Sequence, residues 1–143
     1  MAFYKKQQQP VNKLWYPRSI LVGSPISTDE VAGLISAAST VSRADVVAVL
    51  TALGDVMGNC MAQGRSVKLD GIGTFSFTAS AAGNGVKTPE EVTVQQIKGV
   101  KVHFVPETSY RREAGVRRAV RGLTNVKLEW VDIDTLKADS RLP

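Results

Sequence analysis

Apolar positions recur at helical spacing in the first half of the chain and at strand spacing in much of the second. Ser27 and Glu30 stand at capping-box spacing, and Val31, Leu34, Ile35 and Ala38 follow three and four apart, which predicts a short amphipathic helix. Ser42 and Asp45 repeat the cap. Behind them Val46, Val49, Leu50, Leu53, Met57, Cys60 and Met61 fall within an arc of about 120° at helical pitch. A longer helix with one buried face is expected there. Gly54 and Gly58 lie inside it, each lowering helix propensity by about 1 kcal/mol relative to alanine, which a close helix-to-helix approach would justify. Gly64 reads as the C-terminal cap.

From Gly64 the period changes to two. In "GRSVKLDGIGTFSF", Val67 and Leu69 alternate with Ser66 and Lys68, Asp70 and Gly71 form a turn signal, and Ile72, Phe75 and Phe77 resume the apolar pattern. The next segment, "TASAAGNGVKTPEEVTVQQIKG", is polar and small and buries little, so it is either a mobile loop or an exposed ribbon whose sides pair with each other. "VKVHFVP" alternates as a strand, with Lys101 and His103 opposite Val100, Val102 and Phe104. After Pro106, with Glu107 in a first turn, "TSYRREAGVRRAVRG" is read as a third helix ending at Gly122. At helical pitch its Arg111, Arg117, Arg118 and Arg121 share an arc of about 120° opposite Val116, Ala119 and Val120. The tail "LTNVKLEWVDIDTL" carries Val126, Leu128, Trp130 and Val131 or Ile133 in an extended pattern suited to pairing with the N-terminal "KLWYPRSIL".

Length then bounds the answer: 143 residues with 43% apolar content fit one soluble domain. No stretch is read as approaching the roughly 20 apolar residues that cross a bilayer. The N-terminus lacks an apolar run behind its lysines, which places the chain in the cytoplasm. Cys60, alone, has no disulfide or CxxC partner and reads as a small core residue. Charge changes the picture more. The net charge is +5, and residues 1–25 and 98–121 hold eleven of the eighteen Lys and Arg but two of the thirteen Asp and Glu. Such segregation suits a polyanionic partner, although it also describes a solvated face.

The order helix, helix, hairpin with "GIGTF", exposed flap, strand with "VHFVP" and basic helix resembles the bacterial histone-like HU and IHF family over residues 26–121. The "LWYPR" lead-in, "TPEEVT" and "IKGVKVHFVPETSYRRE" are similar to the extended HU-related proteins of the Bacteroidetes type. Phe75 and Phe104 stand 29 residues apart, the separation HU chains keep between the corresponding phenylalanines. The resemblance implies an α+β fold: an intertwined dimer with a two-helix base, a three-stranded saddle sheet, an extended β-arm at about 79–98, a basic C-terminal helix and extra flanking strands. Residues 1–25 would be an extension forming a strand, and residues 122–143 a strand followed by a flexible tail. An apolar stripe like that of the second helix cannot be hidden by two short helices and one small sheet, so a partner surface is expected on physical grounds as well. Val46, Val49, Leu50, Leu53, Met57, Phe75, Phe77 and Phe104 are its candidate residues, in a homodimer or a heterodimer.

The resemblance further implies a nucleoid-associated protein that binds double-stranded DNA through phosphates, with little sequence preference, and bends or compacts it. Candidate contacts are Arg65, Lys68, Lys87, Pro89, Lys98, Lys101, Arg111, Arg112, Arg117 and Arg118. The arm departs from the family pattern. Val86, Lys87 and Thr88 occupy the Arg-Asn-Pro tip, Pro89 comes one residue late, and Glu90 and Glu91 follow it, so a proline wedge in the minor groove would carry two carboxylates toward phosphate. The alternative is a protein that keeps the dimer and uses its terminal strands to dock protein partners. For the third helix alone, the bland reading is that its arginines pair with Asp or Glu of the base helices. No catalytic set, P-loop or dinucleotide fingerprint occurs, and His103 lacks a Cys or second His partner. Neither an enzyme, a cofactor, a metal, a small-molecule substrate nor a membrane partner is expected.

Overall fold

Two helices begin the larger of two contact units, residues 28–125, in the computed structural model, which describes residues 1–138. Helix α1 spans Thr28–Ala38 and α2 spans Arg43–Ala62. The α2 start is capped as its sequence predicts: the Ser42 hydroxyl accepts the Asp45 N–H at 3.2 Å and donates to the Asp45 carboxylate at 2.6 Å. Arg43 and Asp29 form an ion pair that joins the first turns of the two helices, with Nε donating to Oδ1 at 3.0 Å. At the other end Gly64 takes φ +78° while its N–H returns to the Met61 carbonyl at 3.0 Å, which ends the helix.

The α2 stripe divides into two rows. Val46 and Met61 are buried, with Leu50 and Met57 half-buried on the same side. Val49 and Val56 remain 63% and 57% exposed, in line with half-buried Leu53 and Cys60. Helix α2 is also long and apolar enough, by length and composition, to cross a membrane, which corrects the reading that no stretch qualifies. The reason is that Ala44, Val47, Ala48, Ala52 and Val56 add apolar positions outside the predicted stripe.

Strands β3 (Val67–Leu69), β4 (Gly73–Ala81) and β5 (Ile97–Pro106) form an antiparallel sheet in the order β3-β4-β5. Its register sets Phe75 against Phe104, with ring centroids 4.7 Å apart, and Phe77 against Val102 on the same face. Gly73 is buried at φ +152°, and a Cβ there would meet the Val105 carbonyl and stand 2.7 Å from Phe104 Cε2. Gly71 takes φ +80° in the turn. The glycine pair therefore folds the chain back tightly enough for β4 to lie against the Phe104–Pro106 end of β5.

The expected extended arm is paired only at its base. Pairing of β4 with β5 passes an irregularity between Ser80 and Ala81 and ends at Ala81–Ile97, after which the Ala82 N–H reaches the Gln96 carbonyl at 2.9 Å. Beyond it the chain forms 3-10 turns at Pro89–Glu91 and Val94–Gln96. Pro89 has no N–H to give a ladder, and local bonds substitute: the Thr88 hydroxyl donates to Glu91 Oε1 at 3.1 Å, and the Thr93 N–H to Gln96 Oε1 at 3.0 Å.

The expected basic third helix is a β-hairpin. Strands β6 (Thr108–Glu113) and β7 (Val116–Arg121) pair antiparallel around Ala114 and Gly115, whose φ values are +50° and +80°. Two successive positive φ angles mark the type of turn that joins twisted strands, and they break any helix through this point. Glu107, assigned above to a helical first turn, is instead a joint. Its N–H donates to the Ile72 carbonyl and its carbonyl accepts the Gly122 N–H, both at 3.0 Å, while its carboxylate accepts the Gly71 N–H. Ala114 is the one non-glycine in the turn, so Ala114→Asn, which suits positive φ, is expected to raise stability by about 1 kcal/mol in chemical denaturation.

The second unit joins residues 1–27 to the C-terminal segment from Val126. Strands β1 (Ala2–Gln8) and β2 (Trp15–Ile20) form a hairpin, and β8 (Trp130–Asp132) adds to β1 in parallel, giving the order β2-β1-β8. The extended tail thus pairs with β1 rather than with the "KLWYPRSIL" segment. Ile133, read as a strand position, is buried at the start of helix α3 (Ile133–Ala138). The flexible tail expected at the C-terminus falls on residues 139–143, outside the described residues.

Candidate nucleic-acid interface

Alternation along the β3-β4-β5 sheet sorts its side chains by chemistry. The phenylalanines lie on one face, and the other carries Lys68 opposite Thr74, His103 opposite Ser76 and Lys101 opposite Thr78. Lys68, Lys101 and His103 are all exposed. Lys68 lies 3.9 Å from Asp70, which is more exposed still, a loose contact worth little in water. Lys101 has no ion pair among the described residues. This face offers separated cations and hydroxyls, which are groups suited to phosphate oxygens. Sequence reasoning set His103 aside as a metal or acid–base residue; the two-residue alternation that places it beside Lys101 was the available signal.

The hairpin holds the densest charge. Arg111 pairs directly with Arg118 and Arg112 with Arg117, and neighbouring rungs point to opposite faces. All four are exposed, and none takes part in an ion pair among the described residues. The pairing to acidic groups of the base helices considered from sequence is therefore not seen. The Arg117 guanidinium sits 4.1 Å from the centre of the Tyr110 ring, a contact that steadies its planar fork. A helix would have gathered Arg111, Arg117 and Arg118 on one side; the hairpin distributes charge to two.

The other candidates are dispersed. Arg65 lies exposed between α2 and β3, Lys98 at the base of the flap, and Lys87 exposed beyond it. Pro89 occupies the first position of a 3-10 turn with Glu90 and Glu91 immediately after it. Among the candidate interface residues, Val46 is buried, Leu50, Leu53, Met57 and Phe75 are half-buried, and Phe77 and Phe104 are 38% and 37% exposed. Val56 belongs with Val49, seven residues away on the same helical line, and lies just outside the apolar arc that the sequence marks.

In the terminal unit, Lys6 Nζ lies 3.0 Å from Asp132 Oδ2, joining β1 to β8. The hydrogen bond from Lys6, with a second from the Asp134 N–H, holds the Asp132 carboxyl below the usual carboxylate range. The same hydrogen bond and the carboxylate charge raise Lys6 above the usual lysine value. A depressed carboxyl stabilises above its unfolded value and loses that contribution as pH falls through the folded one; a raised lysine loses its contribution as pH rises through its folded value. The bridge is thus fully effective between about pH 4 and about pH 10. Acidification below that window is expected to reduce hydrogen-exchange protection of the β1–β8 amides, and Lys6→Met to remove this response.

A family model described as an HU domain fused to wHTH, Ig, or glycine-rich motif matches residues 2–121. No curated protein matches the chain.

Proposed function

The chain belongs to this family of HU domains fused to wHTH, Ig or glycine-rich motifs, and on that premise we propose that it is a non-catalytic, nucleoid-associated architectural protein. It binds duplex DNA chiefly through phosphates, with little sequence preference, and bends or compacts it. The observation that carries this reading is the set of exposed cations, without ion-pair partners among the described residues, at Lys101, Arg111, Arg112, Arg117 and Arg118, within the span the HU model matches. Arg65, Lys68 and Lys98 add exposed cations at separate points. Lys87 and Pro89 contribute least, because the flap tip closes into a turn bearing two glutamates.

The protein acts as a dimer in this reading. The α2 row of Val49, Leu53, Val56 and Cys60 and the half-exposed Phe77 and Phe104 are the surfaces a second subunit covers, with the phenylalanine face of the sheet turned inward as the underside of a DNA saddle. A helix partner accounts for the apolarity of α2 without a membrane.

A duplex of about 30 base pairs tests the reading. Affinity is expected to fall steeply with salt, by close to one unit of log–log slope per phosphate contact, and charge reversal at Lys101, Arg111 and Arg112 to abolish retention at near-physiological salt. Unchanged retention would overturn it. A second reading, favoured by Trp15 and Trp130 at 65% and 53% exposure, is that the β2-β1-β8 unit docks a protein partner. In that case removing residues 1–24 eliminates the partner and leaves DNA behaviour unaltered.

A further inference from the structure

We infer that the β6–β7 hairpin is a two-faced basic ribbon that lodges in the major groove of duplex DNA, with the Arg111–Arg118 rung facing one phosphate wall and the Arg112–Arg117 rung the other. The inference rests on the DNA-binding reading and adds to it the element and the groove. Like charges directly opposed across a strand pair are unfavourable, and this hairpin sets two such rungs in succession with no ion pair among the described residues to relieve them. A polyanion supplies that relief more fully than water and salt do. Because the rungs face opposite ways, a ribbon lying flat on a charged surface would satisfy only one of them. A slot with phosphates on both walls satisfies both.

Duplex DNA offers such a slot at a suitable size. Measured through its two faces, a sheet with its side chains takes up about 10 Å, so the ribbon suits the major groove, about 12 Å wide, rather than the minor groove, about 6 Å wide. The ribbon is also held at its root. Through Glu107, β6 begins at the Ile72 carbonyl and the Gly71 N–H, and β7 ends where the Gly122 N–H meets the Glu107 carbonyl. A Cβ on Gly122 would stand 2.9 Å from the Gly71 carbonyl oxygen, so the hairpin root sits directly on the glycine turn. Tyr110 braces Arg117.

The test compares the full chain with its R111Q/R118Q and R112Q/R117Q variants on a 30-base-pair duplex across a salt series, with dimethyl sulfate footprinting of guanine N7. Both variants are expected to weaken binding and to reduce the log–log salt slope by about 1.8 per ribbon, at about 0.9 for each of two lost phosphate contacts. Wild-type protein should protect guanine N7. The R111K/R118K and R112K/R117K variants keep the charge and should retain most of the slope, which separates loss of contact from loss of fold. If one glutamine pair alone matters, the ribbon lies on a surface and the inference fails. It fails equally if neither matters, or if adenine N3 in the minor groove is protected in place of guanine N7, while wild-type binding leaves the DNA reading standing. Absence of wild-type binding at low salt overturns the DNA reading and this inference together.

Discussion

Replacing Gly73 by alanine is expected to destabilise the protein by about 3 kcal/mol or more, because strain at an unfavourable φ and forced overpacking each cost about 1–3 kcal/mol. The added methyl has nowhere to go. It meets the Val105 carbonyl and the Phe104 ring, neither a flexible side-chain end, and β5 must move away from β4 to admit it. That displacement also disturbs the Phe75–Phe104 stack. Gly71 gives the internal comparison: its φ is +80° but nothing lies within 4 Å of a Cβ there, so Gly71→Ala should cost about 1 kcal/mol for backbone strain alone. Chemical denaturation of both variants measures the ordering. Equal losses would mean that turn conformation, and not the close approach of β5, limits the site.

The second large effect concerns association. Val49 and Val56 are exposed on α2, and in a monomer Val49→Glu with Val56→Glu should alter stability by no more than about 0.5 kcal/mol at each site. In the proposed dimer the same pair buries two carboxylates without partners in each subunit, at several kcal/mol apiece. The expected result is conversion from dimer to monomer by light scattering, accompanied by loss of DNA retention. A variant that keeps both its mass and the wild-type melting temperature would place the subunit contact elsewhere, or remove it.

Helix α2 was legible because its signals agreed: a serine cap, an apolar arc and a glycine stop all marked the same boundaries. The β3-β4-β5 sheet was legible for the same reason, with alternation and a glycine turn in register. The segment after Pro106 carried two compatible patterns. Its arginines share a helical arc, yet Tyr110, Arg112 and Thr108 also alternate as a strand. What decides between them is a pair of positive φ angles at Ala114 and Gly115 together with long-range bonds through Glu107. The glycine was visible as a turn residue; the bonds across 36 residues to Gly71 were not. Strand β1 was hard to read for a different reason. Its Lys5, Lys6, Gln7 and Gln8 are polar and exposed, and only Ala2, Phe3 and Tyr4 are half-buried, where the strand is paired with β8.

Strand β1 is central to its sheet, and its second neighbour is made more than a hundred residues later. As the chain leaves the ribosome, β1 and β2 therefore wait as a lone hairpin, a structure that is marginal in water. Residues 28–125 have by then been synthesised in full. The β1–β8 pairing thus has to wait for the residues between them to be made, and until β8 is made that side of β1 is an open strand edge.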